Sequence, residues 1–206
     1  MKTNNNGVQI TYELSGKEDA PAVLLSHSLA SSMVMWQPQL KVLEESFGVI
    51  RYDMRGHGNS DAPGGPYTLE MLADDVVALL DDLKIDKVHC VGLSIGGMIG
   101  QGFALKHQHR LLSLVLCDTS SYSPPEAQPI LQSRIKTAEK EGMASQVDET
   151  MARWFSQDFL KSNRPEAELI RQQILETPVA GYTGCLEAIG GLNYYPQLSN
   201  ITVPTL

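Results

Sequence analysis

Four short apolar runs punctuate the first part of the chain, at residues 22–25, 48–52, 87–93 and 111–116. Runs of this length without strict alternation predict strands buried on both faces. Residues 8–14 instead alternate apolar and polar positions, which predicts an antiparallel edge strand with one wet face. Helical spacing lies between the runs. One helix is expected near residues 36–45. A second is opened by Thr68 and runs to about residue 83; its apolar positions 69, 72, 73, 76, 80 and 83 share one face, and Glu70 suits the positive amino end. Strands alternating with helices in this way predict an α/β fold, a mostly parallel sheet with helices on both faces, and such sheets place their sites at the carboxyl ends of the strands. Ser94, His27 and Asp118 all fall at such ends.

Beyond Asp118 the pattern changes. Residues 120–200 contain no comparable apolar run but several helical stretches, near 129–140, 144–155, 165–176 and 182–189, with Gly142 between two of them and Pro165 at a first helical turn. A helical insertion placed there is suited to cover a site as a lid. The chain is therefore expected to divide into a core over 1–119, a helical cap over 120–200 and, in the I-T-V-P-T-L run of 201–206, the start of a further core strand.

Composition narrows the partners. A net charge of −8 argues against nucleic acid or an anionic membrane surface as a general partner, and an anionic substrate would need local arginines to overcome that field. No segment is apolar over the length needed to span a bilayer, and M-K-T-N-N-N-G does not read as a signal peptide. The three cysteines, Cys90, Cys117 and Cys185, are expected as reduced thiols in a cytoplasmic protein, the first two inside buried strands. No Cys/His cluster has metal-ligand spacing, so no metal is expected.

The chemistry concentrates in K-V-H-C-V-G-L-S-I-G-G-M-I-G-Q-G-F-A-L-K-H, residues 87–107. An apolar run breaks there into a helix of small and apolar residues, with Ser94 at the junction inside G-x-S-x-G. The five-residue pattern alone arises by chance about 0.06 times in a chain this long, and the strand before it and helix after it make it more specific. In such a turn the serine hydroxyl is pushed out of the top of the sheet, beside unpaired amides at the amino end of the helix. The alternative is a glycine-lined packing turn.

With G-L-S-I-G, the H-S-L loop at 27–29 and D-M-R-G-H-G-N-S at 53–60 in place, the chain resembles the α/β-hydrolase family. The runs S-H-S-L-A-S-S-M-V-M-W-Q-P-Q-L, Y-D-M-R-G-H-G-N-S and V-G-L-S-I-G-G-M-I-G-Q make it most similar to the 3-oxoadipate enol-lactonases, whose near relatives include general esterases and cofactor-free haloperoxidases. The resemblance implies a cytoplasmic enzyme of aromatic-compound catabolism, in the β-ketoadipate route, that opens a small-molecule lactone or ester by serine attack and needs no cofactor. It assigns Ser94 as nucleophile and the backbone N–H groups of Ile95 and Leu29 as oxyanion donors. The oligomeric state is left open.

That family orders its triad as serine, acid, histidine. The acid usually follows the strand that I-T-V-P-T-L begins, and the histidine comes later still, so the 206 residues are expected to be part of a longer protein and, alone, a poor hydrolase. Asp118 is an alternative acid, against a role in shaping its loop. His89 is expected within a strand, His107 and His109 at a helix end, and His57 in a tight glycine-flanked loop. The resemblance places His27 in the oxyanion loop, where it is either a brace for the turn or a substrate contact. For recognition, Arg153 and Trp154 are the candidate pair, a guanidinium beside a flat aromatic surface suited to a carboxylate-bearing ring; the alternative is an amphipathic helix with Trp154 packed and Arg153 solvated. Arg134 and Arg171 are weaker candidates. Two further readings are a non-catalytic relative that binds a small ligand, and a truncated form that acts as an interaction partner.

Overall fold

The computed structural model describes residues 1–162 and 164–206. A six-stranded sheet forms the centre, in the order β1 (Lys2–Asn5), β2 (Val8–Gly16), β4 (Gly48–Tyr52), β3 (Ala22–Ser26), β5 (Val88–Leu93) and β6 (Leu111–Cys117). The apolar runs form β3 to β6, which pair in parallel, while β1–β2 and β2–β4 are antiparallel. The sheet is therefore mixed. The alternating segment is a strand as expected, but not the edge. Residues 2–5 fold back on it in register Thr3 to Ile10, through a two-residue turn in which Asn6 and Gly7 both have positive φ. The mostly polar K-T-N-N run hides the strand, and the Asn6-Gly7 turn that follows is its signal in the sequence.

Both faces of the parallel strands are covered. Val23, Leu25 and Val49 pack on one side with Trp36 and Leu40, the latter on α1 (Gln37–Leu43). Leu24, Ile50, Val88 and Cys90 face α2 (Leu69–Asp82) and α3 (Ile95–His107) on the other. Helix α3 is buried on nearly every side, as its small and apolar sequence requires. Helix α2 begins where its cap predicts, with the Thr68 hydroxyl accepting from the Met71 N–H at 3.1 Å. It also buries Asp75, whose two oxygens take the Arg55 Nε and Nη2 donors at 2.6 Å each, and Asn5 of β1 at 2.7 Å. Of the three free cysteines, Cys90 and Cys185 are buried and Cys117 is half-buried, less enclosed than its strand suggested.

After β6 the chain is helical: α4 (Gln128–Glu141), α5 (Val147–Trp154), α6 (Gln157–Lys161), α7 (Pro165–Glu176) and α8 (Val179–Gly190). The expected stretch 144–155 splits, its first turn being a 3-10 segment, and α6 was not foreseen because five residues carry too little periodicity. Helix α8 seats this segment on the core. Gly181 lies against the backbone of Gly56 so closely that a β-carbon on either would collide with the other, and Gly184 rests on the Tyr67 ring. The chain then returns to the sheet, where Leu114 N–H donates to Pro204 O at 2.9 Å and Leu206 N–H to Leu114 O at 3.0 Å, parallel to β6.

Candidate active site

Ser94 stands between β5 and α3 with φ 55° and ψ −117°, in a region that residues with a β-carbon rarely occupy. Such a conformation costs about 1–3 kcal/mol and persists only where its surroundings hold it. Here they do. Its N–H donates to Cys117 O at 2.9 Å, and its carbonyl accepts from the Thr119 hydroxyl at 2.6 Å and from the Gly97 N–H at 2.9 Å. The flanking glycines are required by space. A β-carbon at Gly92 would strike the Gly96 carbonyl, and one at Gly96 would strike the Ser26 carbonyl.

The hydroxyl opens onto a cavity of about 520 Å³ at the carboxyl ends of the strands, within the range typical of small-molecule sites. Its floor is Ser28, Ser31, Met35, Leu93, Ser94 and Asp118; its roof, from the helical segment, is Arg153, Trp154, Phe155, Phe159, Glu166 and Ile170. The expected pair Arg153 and Trp154 is therefore brought to Ser94. Arg153 keeps one long ionic contact, 3.9 Å to Glu149, and burial, then the neighbouring Arg134, lowers its pKa. An anion in the cavity would offset both effects. Arg134 donates instead to the Tyr182 hydroxyl at 2.8 Å and Arg171 pairs with Asp148 at the surface, so neither joins the cavity lining. The stacked Phe155 and Phe159 rings, 4.8 Å apart, and Glu166 were not foreseen.

The loop after β3 is braced residue by residue. The His27 ring donates from Nδ1 to Ser28 O at 2.8 Å and accepts the Met54 N–H on Nε2 at 3.0 Å. His57 accepts the Ala30 N–H on Nε2 at 3.0 Å, holding Ala30 at φ 54°. The Asp53 carboxylate takes the Met33 N–H at 2.8 Å and the Asn59 N–H at 2.9 Å. Among the described residues, the N–H groups of Leu29 and of Ile95, the latter first in α3, have no acceptor. His27 is the correction. It is fully buried, both nitrogens are committed to backbone and it does not line the cavity, so the side chain braces the loop. Burial lowers His27 to about 4 and, with its neighbour His27 adding repulsion, His57 to about 3. Both rings are neutral.

Asp118 is exposed, lines the cavity and sits at φ 41°. His89 bonds Ser113 across the β5–β6 pair, and His107 and His109 lie at the far end of α3, so none of the five histidines faces Ser94 among the described residues. No helix is long and apolar enough to cross a membrane among the described residues.

A sheet of this order with a strained serine where strand meets helix at its carboxyl edge defines a class, and comparison places the chain in it. Residues 21–177 match the family model described as alpha/beta hydrolase fold, and the chain belongs to that family. It is 33% identical to 3-oxoadipate enol-lactonase 2 of Acinetobacter baylyi over 97% of this chain and 74% of that one. A putative carbamate hydrolase of Caulobacter segnis is 35% identical over 75% of this chain and 59% of its own. The crystal structure of the enol-lactonase from Burkholderia xenovorans superposes with a TM-score of 0.95 at 36% identity, covering 100% of this chain and 79% of that one.

Proposed function

We propose that the protein is a serine hydrolase for a small, carboxylate-bearing lactone, of which 3-oxoadipate enol-lactone is the best-supported example, and so acts in aromatic-compound catabolism. The observation that carries this reading is the strained Ser94 at the floor of a cavity, followed directly by the Ile95 amide, which has no acceptor among the described residues. The Ser94 oxygen bonds to the lactone carbonyl carbon while its proton passes to a base. The resulting oxyanion lies between the Ile95 and Leu29 N–H groups, each such donor being worth about 3 kcal/mol. Collapse breaks the ring C–O bond, the base returns its proton to the departing ring oxygen, and an acyl-enzyme is left. Water then adds to the acyl carbon, giving a proton to the base, and as the Ser94 C–O bond breaks that proton passes to the serine oxygen and the acid product leaves. None of the five histidines described is placed to act as that base, and the enol-lactonase relative extends beyond the matched part of its chain.

Arg153 is the group that would select a carboxylate, with Trp154 and the two phenylalanines packing the ring. A general esterase is the second reading, favoured by the six apolar side chains among the lining residues. Labelling of the whole gene product by a fluorophosphonate, with Ser94→Ala as control, tests the chemistry. Covalent modification lost in the variant is expected; absence of labelling in both would reject it in favour of a ligand-binding relative. Turnover of the enol-lactone against simple aryl esters then decides between the two substrates.

A further inference from the structure

We infer that Gln173 of α7 is a positioning residue for the oxyanion loop, so that the helices roofing the cavity set the geometry of the Leu29 amide. The inference rests on the serine-hydrolase reading for its catalytic consequence, though not for the contact itself. Residues 27–32 belong to no strand or helix, and their shape is imposed from outside. From the core side the braces are His27, His57 and Asp53. From the other side there is Gln173, whose Oε1 accepts both the Ser31 hydroxyl at 2.7 Å and the Ser32 N–H at 3.0 Å. These bonds join positions 142 and 141 residues apart. Leu29 is thus followed at once by a residue pinned by the core, Ala30, and then by a pair pinned by the roof, Ser31 and Ser32.

Three details argue that the contact is more than packing. Gln173 is 8% exposed, and its Nε2 is buried without a partner among the described residues, so the loop alone orients the amide. A buried donor left unpaired is unfavourable and is kept only where the acceptor end is well used. Next, Gln173 shares a face of α7 with Glu166 and Ile170, seven and three residues earlier, and both line the cavity. Finally, Ser31 itself lines the cavity. A ligand seated against Glu166, Ile170 and Ser31 therefore presses on the same helix and loop that Gln173 ties together. No other side chain of the helical segment bonds to residues 27–33 among the described contacts.

The test uses the whole gene product and two substitutions. Gln173→Met keeps the shape and removes the acceptor; Gln173→Glu keeps an acceptor oxygen. Hydrogen exchange of the peptide covering residues 27–34 is read alongside hydrolysis of p-nitrophenyl acetate. Exchange in that peptide should rise about tenfold in Gln173→Met and return towards wild type in Gln173→Glu. The kcat should fall at least tenfold in Gln173→Met with KM changed by less than about twofold, because the loss is of transition-state alignment. Should Gln173→Met not fold, Ser31→Ala, which removes only one of the two donors, should show the same exchange change at smaller size. Unchanged exchange with unchanged kcat, or a rise in KM alone, overturns the inference. Wild-type protein that shows no turnover sinks the hydrolase reading, while the exchange measurement still decides the coupling.

Discussion

Acidification should unfold this protein through the two histidines that hold the oxyanion loop. In the native state His27 and His57 face each other with ring centroids 5.4 Å apart, and both are fully buried and neutral. Their pKa values are lowered from 6.5 to about 4 and about 3, by burial foremost. An unfolded chain restores the ordinary value, so below pH 6.5 it binds protons that the native state refuses. Stability is full above the unfolded pKa and falls with pH until the buried values are reached. Between pH 7.5 and pH 5.0 each ring should remove about 2 kcal/mol, and the pair about 4 kcal/mol, a large part of a typical folding free energy. Asp53 acts in the opposite sense, because burial raises its pKa and the native state takes up its proton more readily. Comparison of variants cancels that contribution. Urea unfolding followed by circular dichroism at the two pH values should give the full loss for wild type and about half of it for His27→Gln or His57→Gln, whatever the variants lose at neutral pH. A wild-type loss below about 1 kcal/mol, or variants that keep the whole pH dependence, would refute the argument.

Three further outcomes follow from the geometry. Ser94→Gly removes the β-carbon from a φ of 55° and should stabilise the fold by about 1–2 kcal/mol, whereas Ser94→Ala should not; thermal or urea midpoints check this, and both should abolish fluorophosphonate labelling. Arg153→Ala should raise KM for an anionic lactone far more than for a neutral ester, and equal effects on the two would remove the arginine from substrate recognition. Asp75→Asn leaves the buried Arg55 guanidinium without its counter-charge and should cost about 3–5 kcal/mol, read as a lowered urea midpoint.

The parallel strands were legible because their runs are short, apolar and bounded by turn residues, and Thr68 and Pro165 marked helix starts at the right places. Ser94 was legible because its neighbours must be glycine for reasons of space that leave a trace in sequence. Other parts of the site leave no such trace. Thr119 makes one hydrogen bond across the fold and Gln173 accepts two, and nothing in spacing marks a threonine or glutamine that makes such contacts. His27 misled for a related reason. A histidine at the end of a strand looks the same in sequence whether its nitrogens meet a ligand or, as here, two backbone groups. The strand at 2–5 failed differently, since four mostly polar residues acquire their conformation only by pairing with the next strand.

The contact between Gly56 and Gly181 separates two kinds of constraint on this chain. Attachment of the helical segment depends there on main chain meeting main chain, and hardly any substitution is tolerated at either partner. Arg153, Trp154, Phe155 and Phe159, which shape what the cavity admits, hang from other helices and take no part in that junction. The anchorage can thus stay invariant while the lining is exchanged, which lets one scaffold be retuned from one small molecule to another without having to re-establish how its two halves meet.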